Sequence, residues 1–396
     1  ARAALAALLL AVAAVGPLGP SARAAAEPPL PLGADPRFPL PASLRPAVEF
    51  WIAIFTRYTT DQTVLHDSER LDVVHAVLDF ADLAGRATSE AQRASLRAAA
   101  EEFEKGVVRE RLRRLALDAD RPERLTPEER RLVARFPSDP LRVTGAALLD
   151  AADRVRAQVG QRDRFLQGLA VSGRYLPEME RIFEQEGVPV ELTRLAFVES
   201  MFNLEARSSA GASGVWQFLR STGRRYLLLI NDLVDERNDP LLAARAAARM
   251  LADDYAELGT WPLAITAYNH GKYGVLRAVA ETGTRDIGRI VAEYRGPGFG
   301  FASRNFYAEF LAALHVERHA ERYFGPVPRQ APALYDLVTM PGTLTVPELA
   351  RLARLDPQEL RALNPGLTPQ ALAGRRPLPA GYALRVPADR RAPLAA

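Results

Sequence analysis

Most apolar residues in this chain recur at helical spacing, and one of these stripes is interrupted by an acid. Behind Pro189, which suits the first turn of a helix, Leu192, Leu195 and Ala196 fall at i, i+3 and i+4. The next position of that stripe, i+7, is Glu199. A carboxylate at an apolar position is a salt-bridged core residue, a slip of register, or a buried acid with a purpose. The short polar segment that follows, with Gly211 and Gly214, favours purpose.

The same period predicts helices along most of the chain. Phe50, Trp51, Ile54, Phe55 and Tyr58 read as a core-facing stripe rather than a sugar platform. Residues 87–118 have high helix propensity, with a solvated charged face. Thr126, Pro127 and Glu129 are placed as N-cap, N1 and N3 of a further helix, and residues 137–140 break the pattern. Residues 148–183 read as helical, broken at Ser172 and Gly173 and restarted at Leu176 and Pro177. Asp239 and Pro240 open a long helix that Gly259 ends. Trp261 and Pro262 open the next, and residues 301–323 form another. Residues 335–387 differ, with two strand candidates flanking two short helices in β-α-α-β order.

Composition narrows the chemistry. The 396 residues include no Cys, which excludes disulfides and thiolate nucleophiles. Lys+Arg (51) and Asp+Glu (48) nearly balance at a net charge of +3, so a nucleic-acid partner is not indicated. Near the start, Arg2 precedes an apolar run from Ala3 to Val15, then Gly/Pro breakers and small residues. This reads as an export signal over residues 1–26. The apolar run is shorter than the ~20 residues a membrane span needs. A Pro-rich linker follows over residues 27–44.

Around Glu199 the chain supplies hydroxyls at Ser200 and Ser208 and small residues from Gly211 to Gly214. Trp216, Gln217 and Phe218 offer an aromatic surface beside an amide, and Tyr268 and Asn269 sit at a predicted helix end. Burial raises a carboxyl pKa, so a protonated Glu199 suits a general acid. The Glu199–Ser200 pair, the Gly-x-x-Gly-x-Trp-Gln-Phe run at residues 211–218 and the Ala-Tyr-Asn-x-Gly run at residues 267–271 together resemble a known family. It is the lytic murein transglycosylases of the soluble-lytic-transglycosylase, lysozyme-like family, closest to the membrane-bound lytic murein transglycosylase D group. The resemblance spans residues 165–324.

That resemblance implies a mainly α fold. A helical N-terminal region (residues 45–164) precedes a lysozyme-like catalytic domain (165–325), a linker (326–334) and a small βααβ module (335–388). The module resembles a divergent LysM peptidoglycan-binding unit through Pro341 to Leu344, residues 360–364 and residues 384–387. The implied activity is cleavage of the β-1,4 bond between N-acetylmuramic acid and N-acetylglucosamine, with closure of a 1,6-anhydro ring. Glu199 serves as acid and then base. Ser208 and Tyr268 orient the substrate's acetamido group and the acid, Gln217 and Asn269 hold the sugar, and Ser200 is a further substrate-binding residue. Relatives carry a second Glu where this chain has Ala302, and Arg304 or Tyr307 is the candidate substitute. No cofactor or metal is implied. Glycan strands are the expected partner, in the periplasm or cell envelope, and membrane or wall association is compatible.

Two other readings compete. A hydrolysing muramidase would need a second carboxylate, for which Asp232, Asp235 and Asp239 are the nearest in sequence. A wall-binding scaffold with degenerate catalysis would need no acid. His315, Glu317 and His319 lack the His-Glu order of a zinc protease and read as partly exposed helix residues. His66 and His75 read as structural.

Overall fold

The computed structural model describes residues 14–15, 35–136, 145–340, 342–352 and 354–388. Apart from Ala14 and Val15, the predicted signal segment lies outside these residues, as do the expected break at residues 137–140 and Pro341 of the C-terminal motif. The chain divides into two compact units, Ala1–Ala34 with Leu40–Arg164, and Asp35–Pro39 with Phe165–Ala396. Both are mainly helical.

The first unit contains an antiparallel sheet that helical periodicity did not reveal. Its order is β1-β3-β2-β4, with β1 Ala14–Val15, β2 Gln62–Asp67, β3 Val74–Asp79 and β4 Val155–Val159. The cause is local. Val/Leu-rich runs flank a turn in which the Asp67 carboxylate accepts from the backbone of Glu69 and Arg70 at 2.8 and 2.9 Å, which closes a hairpin. Asp67 is fully buried, and Arg154 pairs with it at 2.8 Å. Helix α1 (Arg45–Thr56) buries Phe50, Trp51, Ile54 and Phe55, as its stripe predicts. Helices α2 (Glu90–Leu117) and α3 (Ala146–Asp153) pack Leu112, Leu115, Leu148 and Ala151 on Leu65 and Leu78 of the sheet. The strands at residues 62–67, 74–79 and 155–159 therefore correct the helical reading of these segments.

Helix α4 (Arg162–Gln185) runs without interruption through Ser172 and Pro177, where a break was expected. Its buried face, with Leu169, Leu176, Met179 and Phe183, continues past the proline. Tertiary burial outweighs the local cost of that residue.

In the second unit, α4 leads through a 3₁₀ turn, Val190–Arg194, into α5 (Leu195–Ser200). Helices α6 (Arg220–Arg225), α7 (Pro240–Leu258), α8 (Trp261–His270), α9 (Lys272–Thr282) and α10 (Phe301–Arg318) follow. Asp239 caps α7 through Leu241 N and Leu242 N at 3.0 Å, and Gly259 ends it. Part of the expected linker belongs here. Phe38 packs edge-on against Phe310 at 5.3 Å.

Strands β5 (Tyr335–Thr339) and β6 (Ala383–Pro387) pair antiparallel around α11 (Val346–Leu352), α12 (Pro357–Leu363) and one further short helix, α13 (Pro369–Leu372). This segment shares a core with the loop between α6 and α7. Leu233 and Val234 pack among Val338, Leu349, Leu360 and Leu384. Asp235 N donates to Gly366 O at 2.8 Å, and Thr368 Oγ1 to Asp232 O at 2.6 Å.

Candidate active site

Leu192, Leu195 and Ala196 are fully buried, so the stripe that led to Glu199 is core. Glu199 stands on it as the penultimate residue of α5 and is half-buried. Met201 and Phe202 then take left-handed backbone, with φ of 52° and 55°, a conformation costing roughly 1 kcal/mol or more per non-glycine residue. Phe202 is 1% exposed and packs 4.7 Å from Phe197, which holds the reversal. The close approach also depends on Gly168, because a Cβ there would lie 2.4 Å from the Met201 carbonyl oxygen.

Glu199 has no hydrogen-bond or ion-pair partner among the described residues. Desolvation alone pushes its carboxyl up to about 8. Its place at a helix C-terminus, where carbonyl dipoles disfavour negative charge, acts in the same direction. At neutral pH the carboxyl is therefore protonated and has a proton to give.

Two elements surround it. Ser200 Oγ donates to Val215 O at 2.9 Å, tying the acid's helix to the Gly-punctuated loop. Ser200 is thus a staple, with its proton committed to backbone. Tyr268 comes from the last turn of α8, and its hydroxyl donates to Trp216 O at 2.8 Å. Burial, and then the charge of Glu199, hold that phenol well above its ordinary range.

The loop itself is clamped from behind. Gly214 has φ +78° and lies so close to the Arg237 carbonyl that a Cβ would fall 1.9 Å from its oxygen. Arg237, 4% exposed, donates to Gly211 O at 2.9 Å and Phe218 O at 3.0 Å while paired with Asp235 at 2.7 Å. Ser213 Oγ bonds Asn238 Oδ1 at 2.6 Å. The sequence reading missed Arg237 and took Asn238 only as part of a helix start. Their only signal was the run of charged and capping residues at 235–239.

The aromatic surface at Trp216 and Phe218 and the substrate role of Tyr307 need correction. Trp216 is fully buried, stacks on Phe183 at 5.6 Å and donates to Pro240 O. Phe218 is 2% exposed, so the pair is core and offers no sugar platform. Tyr307 is 1% exposed and its hydroxyl donates to Pro39 O at 2.7 Å, which removes it from substrate contact. Ala302 is exposed. Gln217, at φ +48°, spends its amide nitrogen on Gly214 O and Ala206 O at 2.8 and 3.2 Å. Ser208 is exposed and accepts from Ala212 N at 3.0 Å. Asn269 is exposed, with Oδ1 accepting from Ser303 at 2.8 Å. The structure thus gathers Glu199, Ser200, Val215–Trp216 backbone and Tyr268. Neither Ser208 nor Asn269 bonds to Glu199. Away from the site, His315 and Glu317 are buried, not partly exposed, and Glu317 pairs with Arg194 at 2.9 Å.

Residues 180–291 match the family model described as "Transglycosylase SLT domain". The chain therefore carries an SLT domain, and Glu199, Gln217 and Tyr268 lie within it. The chain is similar to membrane-bound lytic murein transglycosylase D of Escherichia coli, with 28% identity over 197 residues, covering 49% of this chain and 43% of that protein. It is also similar to a putative tributyltin chloride resistance protein of Alteromonas, 34% identical over 98 residues, 24% of this chain and 47% of that one. It thus spans less than half the length of these curated relatives. An inactive mutant of the lytic transglycosylase Slt from Pseudomonas aeruginosa overlaps at 20% identity and a TM-score of 0.31, covering 39% of this chain and 25% of that one, too little to bear on the fold.

Proposed function

We propose that this protein is a peptidoglycan lytic transglycosylase of the bacterial envelope. It cleaves the β-1,4 bond between N-acetylmuramic acid and N-acetylglucosamine. Glu199, protonated at neutral pH, gives its proton to the glycosidic oxygen as the C1–O bond breaks. The muramoyl 2-acetamido group stabilises the oxocarbenium-like centre. The resulting carboxylate takes the proton of the C6 hydroxyl as O6 bonds to C1, closing the 1,6-anhydro ring and restoring the acid. Tyr268 orients the acid, while Ser208, Gln217 and Asn269 contact the sugar. The module at residues 335–388 is assigned a LysM-like, glycan-binding role.

The observation that carries this reading is a half-buried, unpartnered acid inside the SLT-matching segment, raised by desolvation, with no carboxylate among the described residues contributing to its shift. Most glycosidases need two carboxylates. The three candidates for a second are engaged, Asp235 with Arg237, Asp239 with α7 and Arg385, and Asp232 with Arg376 at 3.2 Å. Ring closure needs only one. Mass spectrometry of digested peptidoglycan tests the proposal. Anhydro products, lighter by one water than hydrolysed ones, are expected from the wild type and none from Glu199→Gln. Reducing ends would establish a hydrolysing muramidase, and no cleavage by the wild type would leave a scaffold.

A further inference from the structure

A groove of about 330 Å³ lies within the second unit, between α4, the start of α7 and the C-terminal strands. That volume falls in the range of small-ligand sites. Its floor is apolar and rigid, built from Tyr175, Pro177, Pro240, Leu363 and Pro365. None of these residues belongs to the Glu199 site.

Its charged lining is mostly cationic, with Arg174, Arg181 and Arg385 against Glu178. Glu178, the carboxylate among the lining residues, is held by Arg181 Nε at 3.0 Å. Arg385 is neutralised by Asp239. Arg174 stands over the Tyr175 ring at 5.8 Å and has no hydrogen-bond or ion-pair partner among the described residues. Its Nε is buried and unsatisfied. Tyr175, 7% exposed, lines the groove with a hydroxyl that likewise has no hydrogen-bond partner among the described residues. A half-buried guanidinium beside an apolar floor favours an anion carrying small apolar groups. A neutral sugar ring would leave the Arg174 charge without a counter-ion, and the one carboxylate here is committed to Arg181.

We infer that this groove binds a short acidic peptide, with a carboxylate on Arg174 and small apolar side chains on Tyr175, Pro177 and Leu363. This rests on the peptidoglycan reading, since the glycan strands of that polymer carry short peptides rich in free carboxylates and alanine methyls. The enzyme would then hold its substrate by peptide as well as by glycan, at two separate places.

The test uses the full chain with Glu199→Gln, which prevents turnover. It is titrated calorimetrically with glycan-free stem peptides released from peptidoglycan by an amidase. Saturable binding is expected, weakened roughly tenfold or more by Arg174→Ala or by amidation of the peptide carboxylates. Arg174→Lys should restore part of it. Unchanged thermal unfolding of the Arg174 variants confirms that they fold. Absent binding, or binding indifferent to Arg174→Ala, overturns the assignment. Glycan strands stripped of peptide separate the two readings. If the wild type cleaves them while no peptide binds, the groove assignment fails alone. If peptide binds through Arg174 while the wild type cleaves no glycan, the groove stands and the transglycosylase reading fails.

Discussion

Asp239 and Arg385 are 146 residues apart in the chain and form a buried ion pair, 1% and 9% exposed. Arg385 Nη2 reaches Asp239 Oδ1 at 3.2 Å, and the same oxygen accepts from Leu241 N and Leu242 N. One carboxylate therefore caps α7 and anchors β6. Asparagine can still cap a helix but cannot neutralise Arg385. Asp239→Asn should cost about 3–5 kcal/mol in urea unfolding, because it leaves a buried charge unpaired. Asp239→Asn with Arg385→Met should recover much of that loss.

Glu199→Gln should abolish cleavage and also stabilise the fold. The carboxyl sits near 8 in the folded chain against 4.5 unfolded. The folded state keeps its proton where the unfolded chain gives it up, so this residue's contribution falls as pH rises from 4.5 to 8. Removing the ionisable group lifts that penalty. A gain on the order of 2 kcal/mol is expected at pH 7, allowing for the partial exposure of the side chain. It should vanish near pH 4, as thermal melts across that range would reveal.

The same value fixes the alkaline limb of the rate profile. Below about pH 8 the acid holds its proton, and above it the active fraction drops tenfold per pH unit. Initial rates on purified glycan strands should follow that limb. A rate still rising through pH 9 would contradict Glu199 as the proton donor.

Gly214 and Gly211 are both left-handed, at φ +78° and +86°, but only Gly214 has backbone within reach of an added Cβ. Gly211→Ala should cost about 1 kcal/mol from backbone strain. Gly214→Ala should cost several times more and depress activity, because the loop must leave the Arg237 carbonyl and carries the Val215 contact to Ser200 with it. Paired unfolding curves and rates separate the two effects.

In the first unit, burial lowers His66 to about 4. The unfolded imidazole binds its proton near 6.5, so folding loses stability as pH falls from 6.5 to 4. The full loss from this residue is roughly 3 kcal/mol, and His66→Gln should flatten the acid arm of stability against pH.

The long helices and their caps were legible because they are written locally. Thr126 and Glu129 form the expected capping box, and Asp239 and Gly259 bound α7. The acid was legible for the opposite reason, as a residue that violates its own stripe. The sheet was not, since the Val- and Leu-rich runs of β2 and β3 also satisfy helical spacing and only their pairing decides between the two. Trp216, in the Gly-punctuated loop, and Tyr307, on α10, were read as surface because residue type says nothing about which side of an element faces the core. Arg237 escaped notice because its role depends on carbonyls 19 and 26 residues away.

Modular proteins are often pictured as beads that can be exchanged between genes. The apolar surface that Leu233 and Val234 lend to the C-terminal strands makes that exchange costly here. A chain ended in the segment before Tyr335 would present those side chains to water and leave Asp239 without its cation. Such a truncated protein should self-associate, and a foreign module joined at the same point would find no matching bed. A change on either face therefore needs an answering change on the other if the shared core is to stay packed.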